Sequence, residues 1–177
     1  MRRLIIFVPI MLFMLSLSVN SFQDDEDIPE RLKHFKPKYE ETFDESFEVV
    51  WNACKDAITQ TACQIVTQKS SQTDEGLYKG TIKSDYCIFS EGSDSSYQVC
   101  QRYHYDMPYI PGSVWISGRV KYTIILKEQE DGKVNMVLSA EMSGFEKLTY
   151  QVYFWKSNGQ MEFAMIEEIK RLAKANK

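Results

Sequence analysis

Histidine is scarce in this chain: its 177 residues include two, His34 and His104. The four cysteines, Cys54, Cys63, Cys87 and Cys100, form no C-x-x-C pair. A zinc site would need ligands gathered from four separate places, so no metal is expected. Phosphate cradles of the GxxxxGK or GxGxxG type are absent, and with them the commonest signs of a nucleotide cofactor. Eight glycines and five prolines are too few for a collagen-like or low-complexity chain. Basic residues are outnumbered, 21 to 25, for a net charge of −4. A nucleic-acid surface needs clustered Lys and Arg, so no nucleic-acid partner is expected. Beyond the first twenty residues no apolar run is long enough to span a bilayer.

What is present describes one domain. Hydrophobic residues make up 44% and charged residues 26%, enough for a real core and too ordinary a balance for disorder. Arg2 and Arg3 precede an apolar run from Leu4 to Leu15, followed by Ser16-Leu17-Ser18-Val19-Asn20-Ser21. A charged start, an apolar middle and a small-residue exit read as a secretory signal peptide over residues 1–21, cleaved after Ser21. An uncleaved N-terminal membrane anchor is the competing reading. Cleavage removes two arginines and no acid, so the mature chain is more acidic still. The expected location is periplasmic or extracellular. Residues 22–37, with Asp24-Asp25-Glu26-Asp27, Pro29 and Pro37, read as an acidic linker. The domain proper is expected over 38–177.

Tyr39, Glu41 and Phe43 alternate with polar neighbours and suggest a short edge strand. A helix follows, begun by a Thr42–Glu45 capping box or by Asp44 as N-cap. Its apolar stripe is Phe47, Val50, Trp51, Cys54 and Ile58. Cys63, Ile65 and Val66 mark a short strand. The polar stretch 69–75, ending at Gly76, reads as a loop. A further strand runs over 77–83, with Tyr78, Gly80 and Ile82 on one face.

The clearest strand is 114–127, with Val114, Ile116, Gly118, Val120, Tyr122, Ile124 and Leu126 on one parity. Val134, Met136, Leu138, Ala140 and Met142 repeat the pattern. The pleat decides the turn between them. A two-residue Asp131-Gly132 loop would set core residues opposite solvent residues. A three-residue loop, Glu130-Asp131-Gly132, sets Leu126 opposite Met136, Ile124 opposite Leu138 and Tyr122 opposite Ala140. Gly132 then takes the left-handed position. Leu148, Tyr150, Val152 and Phe154 alternate as a further strand or extended segment. Ser157 and Gln160 read as a capping box before a last helix, with Met161, Met165, Ile166, Ile169, Leu172 and Ala173 buried.

The expected fold is therefore α+β: an antiparallel sheet of four to six strands packed against two amphipathic helices, in the order (β)-α-β-β-β-β-(β)-α. The helix opening Phe43-Asp44-Glu45-Ser46-Phe47-Glu48-Val49-Val50-Trp51, the strand pairs, and the close at Phe154-Trp155-Lys156-Ser157-Asn158-Gly159 resemble small bacterial envelope domains of the helix-grip type. The repeated domain of the BamC component of the outer-membrane β-barrel assembly machinery is one such domain. The resemblance covers residues 38–175 and implies a non-enzymatic accessory or binding module.

In an exported chain the cysteines suggest disulfides. The expected pairs are Cys87–Cys100, tying off an insertion, and Cys54–Cys63, stapling the helix to the strand it feeds. Cys54 as a simple buried apolar residue is the other reading. The insertion, 84–112, is longer than a hairpin needs and rich in tyrosine. Tyr97, Tyr103, Tyr105 and Tyr109, with Trp115 just beyond, are the candidate binding residues, since Tyr-rich loops suit recognition. The other reading has these tyrosines covering the edge of the core. Tyr103-His104-Tyr105-Asp106 suggests acid–base chemistry, but no nucleophile accompanies it, and no catalytic residue is assigned. Two functions fit: a binding module for an envelope protein partner, or a carrier of a lipid or other small hydrophobic ligand between helices and sheet.

Overall fold

The structure is a computed structural model that describes residues 36, 38–61, 63–92 and 97–175. The expected signal peptide and nearly all of the acidic linker lie outside the described residues. The order is β1 (Tyr39–Phe43), α1 (Phe47–Gln60), β2 (Ile65–Gln72), β3 (Tyr78–Ser84), β4 (Cys87–Glu91), α2 (Tyr97–Gln101), β5 (Trp115–Glu128), β6 (Val134–Glu146), β7 (Gln151–Lys156) and α3 (Gln160–Ala175). The class is α+β with an antiparallel sheet, but with seven strands and three helices among the described residues. β4 and the short α2 are the additions, both inside the stretch expected to be a loop.

The long β5–β6 hairpin is the spine. Its free edges are each lined by two shorter strands placed end to end: β3 and β4 along β5, β1 and β7 along β6, with β2 outside β3. Leu126 opposes Met136, Ile124 opposes Leu138 and Tyr122 opposes Ala140. The turn is the three-residue loop, closed by the Gln129 N–H on the Lys133 carbonyl at 2.8 Å, with Gly132 at φ 79°. The β2–β3 hairpin repeats the device with Asp74-Glu75-Gly76. There the Thr73 N–H donates to the Leu77 carbonyl at 2.8 Å, and Gly76 has φ 83°. The polar stretch 69–72 is thus strand, not loop. β2 is an edge strand, where polar side chains on both faces remain in water.

The helices α1 and α3 pack against each other and cover one face of the sheet, α1 over β3 and β5, α3 over β6. Phe47, Val50, Ala53, Cys54, Ala57 and Ile58 of α1 meet Ile124, Leu126, Met136 and Leu138 in the core. Two helix starts differ from expectation. Ser46 is the N-cap of α1 and makes no side-chain cap bond. Thr42 is committed to β1, and Asp44 pairs with Lys133 at 3.2 Å. At α3 the Ser157 hydroxyl accepts the Gly159 N–H at 3.1 Å and donates to Glu162, not Gln160, at 2.6 Å.

The alternation of β5 breaks at its start. A bulge between Trp115 and Ser117 shifts the parity, so Trp115 is buried while Val114 and Ile116 face water. The extra residue reverses which side chains meet the core.

The disulfide also differs. Cys63 is bonded to Cys87, with Cα atoms 5.1 Å apart, while Cys54 and Cys100 are buried free thiols. Neither expected pair forms. Cys54 faces the sheet from mid-helix, its thiol 3.8 Å from the Met136 sulfur. The β2–β3 hairpin carries Cys63 alongside the start of β4: the Asp85 N–H donates to the Gln64 carbonyl, and the Gln64 N–H to Asp85 Oδ1.

Candidate binding edge

The five residues expected to form one binding cluster are dispersed. Tyr109 is 75% exposed and meets Tyr97 edge-on at 6.0 Å. Tyr103 is half-buried and packs on Phe89, ring centres 5.5 Å apart. The Tyr105 backbone N–H donates to the Lys156 carbonyl at 2.8 Å, which ties the insertion to β7. Trp115 is not a surface residue at all: it is 2% exposed, stacked edge-on against Trp155 and Tyr153, and its indole N–H donates to Ser113. The parity shift at the bulge puts it there. His104 and Asp106 serve the backbone. His104 Nδ1 accepts the Met107 N–H at 2.9 Å, and Asp106 accepts the Lys156 N–H at 2.7 Å.

The surface that does stand open is β7, together with the sheet face that no helix covers. Register assigns the side chains of β7. Trp155 opposes Met142 and Tyr153 opposes Gly144, both on the helix side, whereas Val152 opposes Phe145 and Phe154 opposes Ser143 on the bare side. Val152 is 49% and Phe154 58% exposed. Tyr150, adjoining them at φ 54°, lays its ring 6.3 Å from that of Phe145. Tyr86 contacts Phe154, and its hydroxyl donates to Glu141, with the Lys121 ammonium 5.2 Å from the ring centre. The result is an exposed apolar strip along one edge strand.

The backbone of that strand is equally open. Lys156 directs both its N–H and its C=O away from β6, toward Asp106 and Tyr105. Strand alternation gives Val152 and Phe154 the same outward direction, and among the described residues no strand pairs with them there. The insertion begins a pairing at this edge, through the His104–Ser157 bridge and the Asn158 N–H on the Tyr103 carbonyl, and stops at Lys156. The preceding five residues, Gln151 to Trp155, contain no Pro, Lys or bulge of the kind that guards edge strands.

Glu146 fixes the turn that launches β7. Its carboxylate accepts the N–H groups of Val114, Leu148 and Thr149 and the Thr149 hydroxyl. Desolvation pushes its pKa up, but these four bonds to the charged form outweigh it and hold it down at about 2.

On the helix side lies a second feature, an apolar cleft of about 350 Å³ beside the disulfide, walled by Phe89, Tyr103, Val120, Met161 and Met165. Among the described residues no three metal-ligating side chains converge, and no helix is long and apolar enough to cross a membrane. No protein-family model matches the chain, and no match was found among curated proteins.

Proposed function

We propose that this chain is an exported, non-enzymatic binding module that receives an extended segment of an envelope protein partner on the open edge of β7. One observation carries the reading: Val152 and Phe154 offer outward backbone groups and half-exposed apolar side chains at the same positions. Backbone bonds supply affinity in such strand addition, and alternate side chains supply specificity. The partner segment is one whose alternate residues are apolar, to lie beside Val152 and Phe154. The Cys63–Cys87 bridge supports an oxidising location, periplasmic or extracellular, as does the leader-like start of the sequence. The resemblance to helix-grip envelope domains carries the same implication.

The test is capture from envelope extract by the wild type and by a Val152→Lys/Phe154→Lys variant. Both positions face water, so the variant keeps its melting temperature and loses the captured protein. An unchanged set of captured proteins defeats the reading.

The cleft beside the disulfide supports a second reading, a carrier of a small hydrophobic ligand. Solvent extraction of the purified protein followed by mass spectrometry separates the two, since a carrier brings its ligand with it.

A further inference from the structure

The bare face of the sheet is basic in a chain that is acidic as a whole. Toward the β2–β3–β5 end it forms an open groove of about 740 Å³ whose lining includes Lys69, Lys79, Lys127, Ser71 and Thr81. Lys79 and Lys127 are direct cross-strand partners. Like charges placed opposite each other lower sheet stability, so this pair is a local cost that the fold itself does not require. Lys69 lies opposite Thr81, diagonal to Lys79 on the same face, a distance of about 7–8 Å between backbones. Three lysines therefore share one face of neighbouring strands with two hydroxyl side chains.

Nothing in the described chain neutralises them. No carboxylate lines the groove, and among the described residues none of the three lysines has an ion-pair partner. Glu128, next in sequence to Lys127, faces the helix side, where it accepts the Tyr78 N–H at 2.9 Å. Among the lining side chains, Ile125 and Leu126 are the hydrocarbon ones, and the charged or hydroxyl-bearing ones are Lys69, Lys79, Lys127, Ser70, Ser71 and Thr81. Lysines act as compact point charges with rotatable donors, suited to a tetrahedral anion, whereas a planar carboxylate is better matched by an Arg fork.

We propose that this groove binds a compact polyvalent oxyanion of the phosphate type, held between Lys69, Lys79 and Lys127 with Ser71 and Thr81 as further donors. The phosphate belongs either to a soluble molecule or to a lipid headgroup. This site lies strands away from the β7 edge and does not depend on strand addition there.

The experiment titrates tripolyphosphate into the full chain at low ionic strength, following backbone amide shifts and the melting temperature. A Lys79→Gln/Lys127→Gln variant is the test and Lys55→Gln, on α1, the control. In the wild type, amides of β2, β3 and β5 shift and the melting temperature rises with the probe. The double variant melts higher than the wild type without the probe, because the like-charge pair is gone, and binds the probe at least tenfold more weakly. Lys55→Gln behaves as wild type. Vesicles of phosphatidylcholine with and without phosphatidic acid form the second arm. Sedimentation with the phosphatidic acid vesicles alone assigns a lipid headgroup; tripolyphosphate binding without vesicle binding assigns a soluble phosphate. The proposal is overturned if the double variant binds tripolyphosphate as the wild type does, or if neither probe binds the wild type.

Discussion

The carboxyl of Glu162, on α3, lies toward the backbone N–H of Ala140, on β6. β1 pairs with β6 as far as Leu138, and β7 takes over at Glu141, so Ala140 sits in the gap between two strands laid end to end. Glu162 fills that gap and is itself buried. A strand N–H that lacks a neighbouring strand needs another acceptor, and the Glu162 carboxyl is the group placed toward this one.

That arrangement gives a pH dependence. Burial raises the Glu162 pKa; the bond from the Ser157 hydroxyl and the backbone N–H groups of Glu162 itself and Ala140 oppose the rise without cancelling it. The folded state then holds a proton that the unfolded state releases, so stability falls as pH climbs above the ordinary carboxylate range, and levels off above the folded pKa. Glu162→Gln keeps a carbonyl oxygen toward Ala140 and removes the titration. Its unfolding free energy is expected to gain on the wild type's across that window and to stand higher at neutral pH, by about 1.4 kcal/mol for each tenfold gain in proton affinity that folding gives Glu162. Urea unfolding from about pH 4 to about pH 8 measures it, and parallel curves for the two proteins refute it.

Glu146 has the opposite sign. Its folded pKa of about 2 lies below the usual value, so its contribution is present above the unfolded pKa and lost as pH falls through about 2. Glu146→Gln is expected to be less stable than wild type at neutral pH, with the difference shrinking in acid. Because the turn before β7 loses its charged acceptor, hydrogen exchange at Leu148 and Thr149 should quicken. Unchanged exchange there would contradict the assignment.

The cysteines make a countable prediction. Denatured without reductant, the protein exposes two maleimide-reactive thiols, Cys54 and Cys100; after reduction it exposes four. Folded, neither free thiol reacts readily, since burial pushes the Cys100 thiol up to about 11 and the Cys54 thiol further. Loss of the bridge in Cys63→Ser/Cys87→Ser removes a constraint across a sequence separation of 24, about 3 kcal/mol in the chain-entropy picture. Zero or four thiols before reduction would rule out this bridge.

The nearness of Cys63 to Cys87 is legible in the sequence once the pleat is applied to the β2–β3 hairpin as well as to β5–β6. The β5–β6 turn is decided by apolar residues that mark one face of both strands. β2 carries no such mark beyond Ile65, and its polar run 69–72 has the composition of a turn. With the loop placed at Asp74-Glu75-Gly76, partners lie symmetrically about Glu75, as Gln72 and Tyr78 or Thr67 and Lys83 do. Cys63 and Cys87 are symmetric about the same residue. An irregularity before Thr67 moves the last pair to Ile65 and Ser84, so the hairpin brings the two cysteines near each other and not into its own register. The bulge at Trp115 leaves no comparable trace, since an extra strand residue changes no composition, and so a core tryptophan reads as a surface one. The alternation of Val152 and Phe154 is visible. That it marks the bare face, not the core face, depends on β7 pairing with β6, which no local pattern announces.

The last prediction concerns the packing of β7 against β6. Gly144 of β6 lies beneath Trp155 and Trp115. A Cβ built there would stand 2.7 Å from Trp155 Cη2, 2.8 Å from the Ser117 carbonyl oxygen and 3.0 Å from Trp115 Cε3. The carbonyl belongs to the bulged start of β5 and cannot rotate away as a side chain could. Both tryptophans are buried, so neither can move aside without displacing the core around it. Gly144→Ala is therefore expected to destabilise the fold by about 1–3 kcal/mol through overpacking, although alanine suits a strand better than glycine in open space. Trp155 should report the strain directly, through a changed near-ultraviolet circular dichroism signal. A Gly132→Ala variant separates this effect from general glycine sensitivity. Nothing lies within 4 Å of a Cβ at Gly132, and its cost comes from φ 79° alone, so it should lower stability while leaving the tryptophan signal unchanged. A Gly144→Ala protein of wild-type stability and spectrum would show that the tryptophan stack yields to the added methyl group.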